Sequence, residues 1–582
     1  MNRLKLILNF IAGTLISLFT WNYISLESNN PLEIVSLVSE LNFNPASNLF
    51  RFCLVLLIPT TLIVILNGFF PSLFSQLKPA ASKVNGTPSY KAEILFIVCF
   101  ALLATLIPTF LSWGAFDWFH EGDALAAAEG VRQGMTAYKD IWFVHGLYQD
   151  VYRILFASNW LEPSIEAARS LESVHKIISY CLLALMLIEI FKRDSIKYWI
   201  AGTVLFALHS STYLPPIAVI PREIIPYLFL ILILSKNQNK FSLLLVGFLP
   251  WLGILYALDR GVYCFVLLGA WLIFSLISKK QNFKSLSLAL LGFIAGFAFL
   301  IFTLGEGTKS FFLTLIEMPK YHDLIMGLPY PITDTKYLLA VVLLSGALYW
   351  LACRYLSVRA SSENKALTNF IDSYFTELII FTAAVLWFRN TLNRPDKVHL
   401  EYSMLFTYLF WICVLLKYYL SALLKKEIKT ICIAALSMVS CFAVINLIST
   451  RGLRQNFPFF YSSSSSLLGD YDQSGEILET VGKDKIFVYS ADSTWYYTLS
   501  KAPVSGYSQA WFAATNTMQN KLIENLKDHK VQWIIKDCRG KRFQIDGINL
   551  DKRLPKIHRH ISENYSLYKK LGEIEMLKLN LR

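Results

Sequence analysis

Apolar runs of membrane length recur along most of this chain, separated by short polar loops. They lie at roughly 4–21, 49–70, 93–113, 174–191, 197–214, 222–235, 240–257, 262–278, 285–304, 336–354, 375–389, 400–419 and 429–449. About 20 mainly apolar residues in a helix cross the hydrocarbon layer. The pattern therefore predicts a polytopic α-helical membrane protein with about thirteen transmembrane helices. The run at 222–235 is short and holds Pro226. The opening "MNRLKLILNFIAGTLISLF" lacks a small-residue cleavage site and is followed by further runs, so it reads as an uncleaved first helix.

After residue 450 the pattern changes. "KIFVYS" (485–490) and "VQWIIKD" (531–537) read as strands. "MQNKLIENLKDHK" (518–530) reads as an amphipathic helix with Leu522, Ile523 and Leu526 on one face. "YSLYKKLGEIEMLKL" (565–579) reads as a hairpin turning near Gly572. The chain divides accordingly into two N-terminal membrane helices with their loops (1–92), a main membrane domain (93–449) and a small C-terminal α/β domain (450–582).

Charge sets the orientation. The loops "KRDSIK" (192–197), "SKNQNK" (235–240), "KKQNFK" (279–284), "CRYLSVRASSENK" (353–365) and "KKEIK" (425–429) are short and basic, as is the start "NRLK". Short basic loops mark the cytoplasmic side, which predicts a cytoplasmic N-terminus and an extracytoplasmic C-terminal domain. The short loops fit the inner (plasma) membrane of a bacterium. The net charge of +13 is carried by these loops and does not point to nucleic acid. Charged residues make up 16% of the chain, against about 25% in soluble domains. Eight of the nine cysteines lie in apolar runs, with no CxxC or Cys/His spacing, which excludes a disulfide framework or structural zinc.

The opposite loops carry the chemistry. "GAFDWFHEGDALAAAEG" (114–130) follows the third run and holds Asp117, His120, Glu121 and Asp123 within seven residues. Asp123 reads as the cap of a helix through "ALAAAEGVRQ" that stops at Gly134, with Glu129 and Arg132 pairing on its polar side. "AYKDIWFVHGLYQDVY" (137–152) mixes aromatic residues with Asp140, His145 and Asp150, which suits short helices on the membrane surface partly covering a cavity. A carboxylate beside a low-dielectric wall is a competent general base. His120, Asp140 and His145 are candidate substrate-binding groups. Arg222, Arg260, Arg389 and Arg394 sit at predicted outer helix ends, where guanidinium groups bind phosphate through paired donors. "NRPDKVH" (393–399), before the twelfth run, adds Asp396 and His399 to the same side. Hard oxygen ligands suit magnesium or manganese, and nothing in the pattern demands either. "GEGTKS" (305–310) is no phosphate loop, because Thr308 stands where glycine must precede the lysine.

The segment "FDWFHEGDALAAAEGVRQGMTAYKDIWFVHG" resembles the first outer loop of the C-type, multi-spanning glycosyltransferase superfamily, which includes protein O-mannosyltransferases and lipid A aminoarabinose transferases. "NRPDKVH" is similar to an Arg-x-Asp-x-x-His element of bacterial relatives, and "IFVYSADSTWYYTLSKAPVSGY" resembles their exported C-terminal domains. Two runs precede the motif helix here, where that superfamily begins with it, and Asp117 with His120-Glu121 stands in place of neighbouring acids. The resemblance implies that 93–449 is a glycosyltransferase-like domain with its catalytic loop at 114–173, with Asp117 the first candidate base and Glu121 the second, and with Asp396 and His399 orienting the acceptor or donor. It implies an inverting enzyme that takes sugar from a polyprenyl-phosphate donor and passes it to a glycan, lipid or protein acceptor. The alternatives are a flippase for lipid-linked glycans, which the lack of a clear internal repeat disfavours, and a glycan polymerase or ligase.

Overall fold

The computed structural model describes residues 2–70, 90–106, 116–161, 164–209, 211–235, 238–279, 281–361, 363–420, 426–449, 456–458 and 468–580. The end of the third run (107–113), the loop start at 114–115 and most of the stretch from 450 to 467 lie outside them. The molecule is a bundle of membrane-length α-helices with a C-terminal α/β unit. Nine helices among the described residues are long and apolar enough to cross a membrane. Of the thirteen expected crossings, the remaining four are also helical but shorter: Tyr90–Leu106, Ser195–His209, Ile224–Leu234 and Lys240–Tyr256.

Small residues set how closely the helices approach. A side chain at Gly247 would stand 1.8 Å from the Ala289 carbonyl oxygen, and one at Gly292 would stand 1.9 Å from that of Leu244. Helices Lys240–Tyr256 and Phe283–Leu304 therefore pack backbone to backbone, which lipid-embedded helices exploit because no hydrophobic force drives them together.

The loop after the third run builds a helix, His120–Arg132, that starts three residues before the expected cap. The physical reason is Asp117, whose carboxylate accepts the backbone N–H groups of Phe119 (3.1 Å) and His120 (3.2 Å), while its carbonyl accepts that of Glu121. Asp123 is thus inside the helix and is not its cap. Residues 121–130 are all buried. Ala124, Leu125 and Ala128 pack on Ile154, Ile165 and Ala168. Ala127 packs with Tyr138, Phe143, Ile254 and Leu300, and Ala126 with Trp495 and Tyr496 of the C-terminal unit. The alanines favour helix and leave the backbone thin enough to be sandwiched.

The C-terminal unit holds β1 (Ile486–Val488), β2 (Trp533–Asp537), β3 (Gln544–Ile545), β4 (Ile548–Asn549), β5 (Tyr565–Leu571) and β6 (Ile574–Leu579). The main sheet runs β1-β2-β6-β5, with β1 and β2 parallel and the other pairs antiparallel. Helix Asn516–Asp528 makes the parallel crossover, and Gly572 turns the β5–β6 hairpin at φ +62°. The unit docks on the loop: Trp142 N–H donates to Gly506 O (2.9 Å), Ser508 N–H donates to Trp142 O (3.1 Å), and Phe119 stacks on Trp511.

A buried ion pair ties the bundle beneath this loop. Arg260 Nε donates to Glu223 (2.8 Å), and the Trp387 indole N–H donates to the same carboxylate (3.1 Å). Both charges are about 98% or more out of solvent. Arg260→Met, which leaves Glu223 unpaired, is expected to cost about 3–5 kcal/mol, and adding Glu223→Gln is expected to recover much of that loss. Thermal melting of the detergent-solubilised variants reads both effects.

Candidate functional site

A cavity of about 1340 Å³ lies where the loop, the ends of the bundle helices and the C-terminal unit meet. Its apolar wall includes Val262, Val266, Leu315, Met318 and Leu386. Val262 and Val266 share one exposed helix face. The aromatic side is built by Trp118, Phe119, Trp142, Trp511 and Phe512. The far rim is the β3–β4 hairpin, with Gln544, Ile545, Asp546 and Gly547, and the adjacent Lys541.

The charged centre is Asp123, His145 and Asp150. His145 donates its backbone N–H to Asp150 Oδ2 (2.7 Å), and its Nδ1 meets Asp150 Oδ1 at 3.0 Å. Gly146 makes this turn possible: its φ is +130°, and a Cβ there would sit 3.0 Å from both Ala257 Cα and Leu258 N. Asp123 and Asp150 are 3% and 2% exposed. Burial, and next the charge of Asp150, push the Asp123 carboxyl well above the usual carboxylate range. Burial also pushes Asp150 up, but the charge and hydrogen bonds of His145 outweigh it and hold the carboxyl below its ordinary value. Burial, then the charge of Arg222, lowers His145. The two acids therefore differ, with Asp123 the one of higher proton affinity. Their ligand atoms and that of His145 lie within 4.8 Å of one another, and two carboxylates with an imidazole suit a divalent cation. Gln149 Oε1, on the cavity wall, is buried without a hydrogen-bond partner among the described residues.

The arginines separate sharply. Arg260 is held by Glu223 and by Asp259 (2.9 Å). Arg389 pairs with Asp323 (3.2 Å). Arg394 is bidentate to Asp546 (2.9 and 2.6 Å) and also donates to Met326 O. Arg222 has no hydrogen bond or ion pair among the described residues, and it lies close enough to Asp123, His145 and Asp150 to act on all three through its charge.

The other sequence candidates are placed as follows. His120, His145, Arg222, Arg260, Arg394, Asp396 and His399 line the cavity. Asp117, Glu121 and Asp140 are not among its lining residues. Asp117 meets His120 Nδ1 at 2.8 Å; burial pushes its carboxyl up, but His120 outweighs this and holds it below the usual range. Glu121 is clamped by Arg169 through two bonds of 2.6 Å. Asp140 accepts the Thr136 N–H (2.8 Å) in a turn. Asp396 caps helix Lys397–Val414 and meets His399 Nδ1 at 2.7 Å. Sequence reasoning did not select Asp123, Asp150, Gln149 or Ser508. The first two were visible as acids in the right loop; what was missing was the start of the helix.

The chain matches no protein-family model and no curated protein. Among solved structures, the crystal structure of ArnT from Cupriavidus metallidurans bound to undecaprenyl phosphate matches at 10% identity and a TM-score of 0.37, covering 84% of this chain and 98% of that one.

Proposed function

We propose that this protein is an inverting glycosyltransferase that moves a sugar from a polyprenyl-phosphate donor to an envelope glycan, lipid or protein acceptor. In this reading all thirteen helices cross the membrane, the N-terminus is cytoplasmic and the cavity opens on the outer face of the inner membrane. The observation that carries it is the Arg222 guanidinium, unpaired among the described residues, which shares a partly apolar cavity with a buried acid whose affinity for protons is raised. Arg222 suits the phosphate of the donor through paired N–H donors. Val262, Val266 and Leu386 suit the prenyl chain. Asp123 takes the proton of the acceptor hydroxyl as its oxygen bonds to the anomeric carbon. The bond from that carbon to the phosphate oxygen breaks with inversion, and polyprenyl phosphate leaves against Arg222. Asp123, which lines the cavity, fits the base better than Asp117 or Glu121, which do not. A divalent cation on Asp123, His145 and Asp150 would add positive charge for the departing phosphate.

Membrane vesicles given a panel of radiolabelled polyprenyl-phosphate sugars test the reading. Asp123→Asn is expected to lower transfer by about 10²–10⁴-fold. Translocation of the lipid-linked sugar without product would favour the flippase instead. The same variant has a second signature. A carboxyl raised in the folded state contributes stability that is full below about pH 3.9 and is lost as pH rises through its folded value. In metal-free buffer, Asp123→Asn is therefore expected to melt higher than the wild type at pH 8, with the gain vanishing toward pH 4. Misfolding would give the opposite sign. Arg222→Ala is expected to raise the donor KM by about 10–100-fold, measured over a donor titration.

A further inference from the structure

The C-terminal unit does more than cover the cavity. Its segment 505–509 is laid against the loop by bonds on both sides of Ser508. Upstream, Gly506 O accepts the Trp142 N–H (2.9 Å), and Ser505 O is held by the Asn525 amide (3.0 Å). Downstream, the Gln509 amide donates to Phe119 O (2.7 Å) and Ala491 O (3.1 Å). Ser508 N–H itself donates to Trp142 O (3.1 Å). With its register fixed this way, Ser508 donates its hydroxyl to Asp123 Oδ1. The other acceptor in reach, Trp142 O, is farther at 3.2 Å and uncharged. Ser508 is 0% exposed and Asp123 3%, so water does not compete for the bond.

A carboxylate has two oxygens and rotates about a soft torsion. A donor fixed on Oδ1 stops that rotation and leaves Oδ2 as the oxygen free for a substrate hydroxyl or a cation. We infer that Ser508 is the positioning residue of Asp123, so that the C-terminal unit completes the reactive centre from 385 residues away. The inference rests on the glycosyltransferase reading for its consequence and on the hydrogen bond for its existence, and the two are tested separately. Ser508 touches no substrate in this scheme; it acts through Asp123.

The link itself is read by a double-mutant cycle in the full-length, detergent-solubilised protein: Ser508→Ala, Asp123→Ala, which leaves no side-chain acceptor, and the pair, compared by melting at pH 8. Non-additive shifts are expected, because removing either partner destroys the same bond. Strictly additive shifts would overturn the inference. The positioning role is read in the vesicle assay. Ser508→Ala is expected to lower kcat by about tenfold or more with donor KM unchanged, and Ser508→Thr, which keeps the hydroxyl, to restore most of it. A loss that Thr does not restore while the protein melts normally, or a change confined to KM, would also overturn it. Coupling in the melting cycle with no transfer activity in the wild type would sink the glycosyltransferase reading and leave the Ser508–Asp123 link standing.

Discussion

Helix His120–Arg132 carries Glu121, Asp123 and Glu129 with all three side chains out of bulk water. A buried carboxylate needs a partner or a proton, and each of these finds its own solution. Glu121 takes the Arg169 fork from a neighbouring bundle helix. Glu129 takes the Arg132 fork from its own helix. Among the described residues Asp123 has no cation partner in hydrogen-bond contact; it has the Ser508 hydroxyl and the nearby charge of Asp150. The burial that makes the helix a wedge between bundle and C-terminal unit is therefore also what raises the proton affinity of Asp123. Structure and reactivity come from one constraint, and loosening the wedge would weaken both.

The C-terminal unit is the second half of that constraint. One face of the wedge helix packs on Trp495 and Tyr496 of that unit, and a side chain at Gly122 would stand 2.6 Å from Thr494 Oγ1. The β3–β4 hairpin reaches the opposite rim, where Asp546 holds Arg394 and Arg553 donates to Ile325 O at the end of helix Thr308–Met326. The unit thus grips the cavity at two places: the acid on one side, and on the other the arginine that sequence reasoning marked for phosphate.

Much of the helical framework was legible because hydrophobic run length is a one-dimensional property. Each expected membrane segment is helical over most of its described part, although the fifth leaves helix at His209 and 211–214 are not helical, and the strands and amphipathic helix of the tail fall close to where the pattern puts them. The site was legible as a neighbourhood and not as a geometry. Asp117, Glu121 and Asp123 were all visible in one loop, but which of them faces the cavity depends on where the helix starts. The helix starts four residues earlier than expected, at His120 instead of Ala124, so Asp123 is a buried residue of its first turns and not its cap. Ser508 had no sequence signal at all. A serine in a small-residue stretch is common, and only the bonds from Trp142 and Gln509 assign it a register against a helix far away in sequence.

The arginines show why pairing discriminates better than position. Arg222, Arg260, Arg389 and Arg394 are equivalent by sequence, each at the end of an apolar run on the same side, and all four line the cavity. A guanidinium already bonded to a carboxylate offers a ligand phosphate only what remains after that bond is broken, and exchanging one anion for another gains little. Arg260, Arg389 and Arg394 are in that position, and they fix Glu223, Asp323 and Asp546. Among the described residues Arg222 has its donors available, and the acids that its charge acts on are joined to other groups: Asp150 to His145, Asp259 to Arg260, Glu172 to Arg153, and Asp123 to Ser508. An anion arriving at Arg222 breaks no ion pair. It comes to rest beside an acid whose proton affinity is already raised, and its negative charge raises that affinity further, which suits a base that must take the acceptor's proton. Phosphate binding and the protonation of Asp123 are in this way linked through space, with Arg222 favouring the charged form of the acid and an arriving phosphate favouring the neutral one.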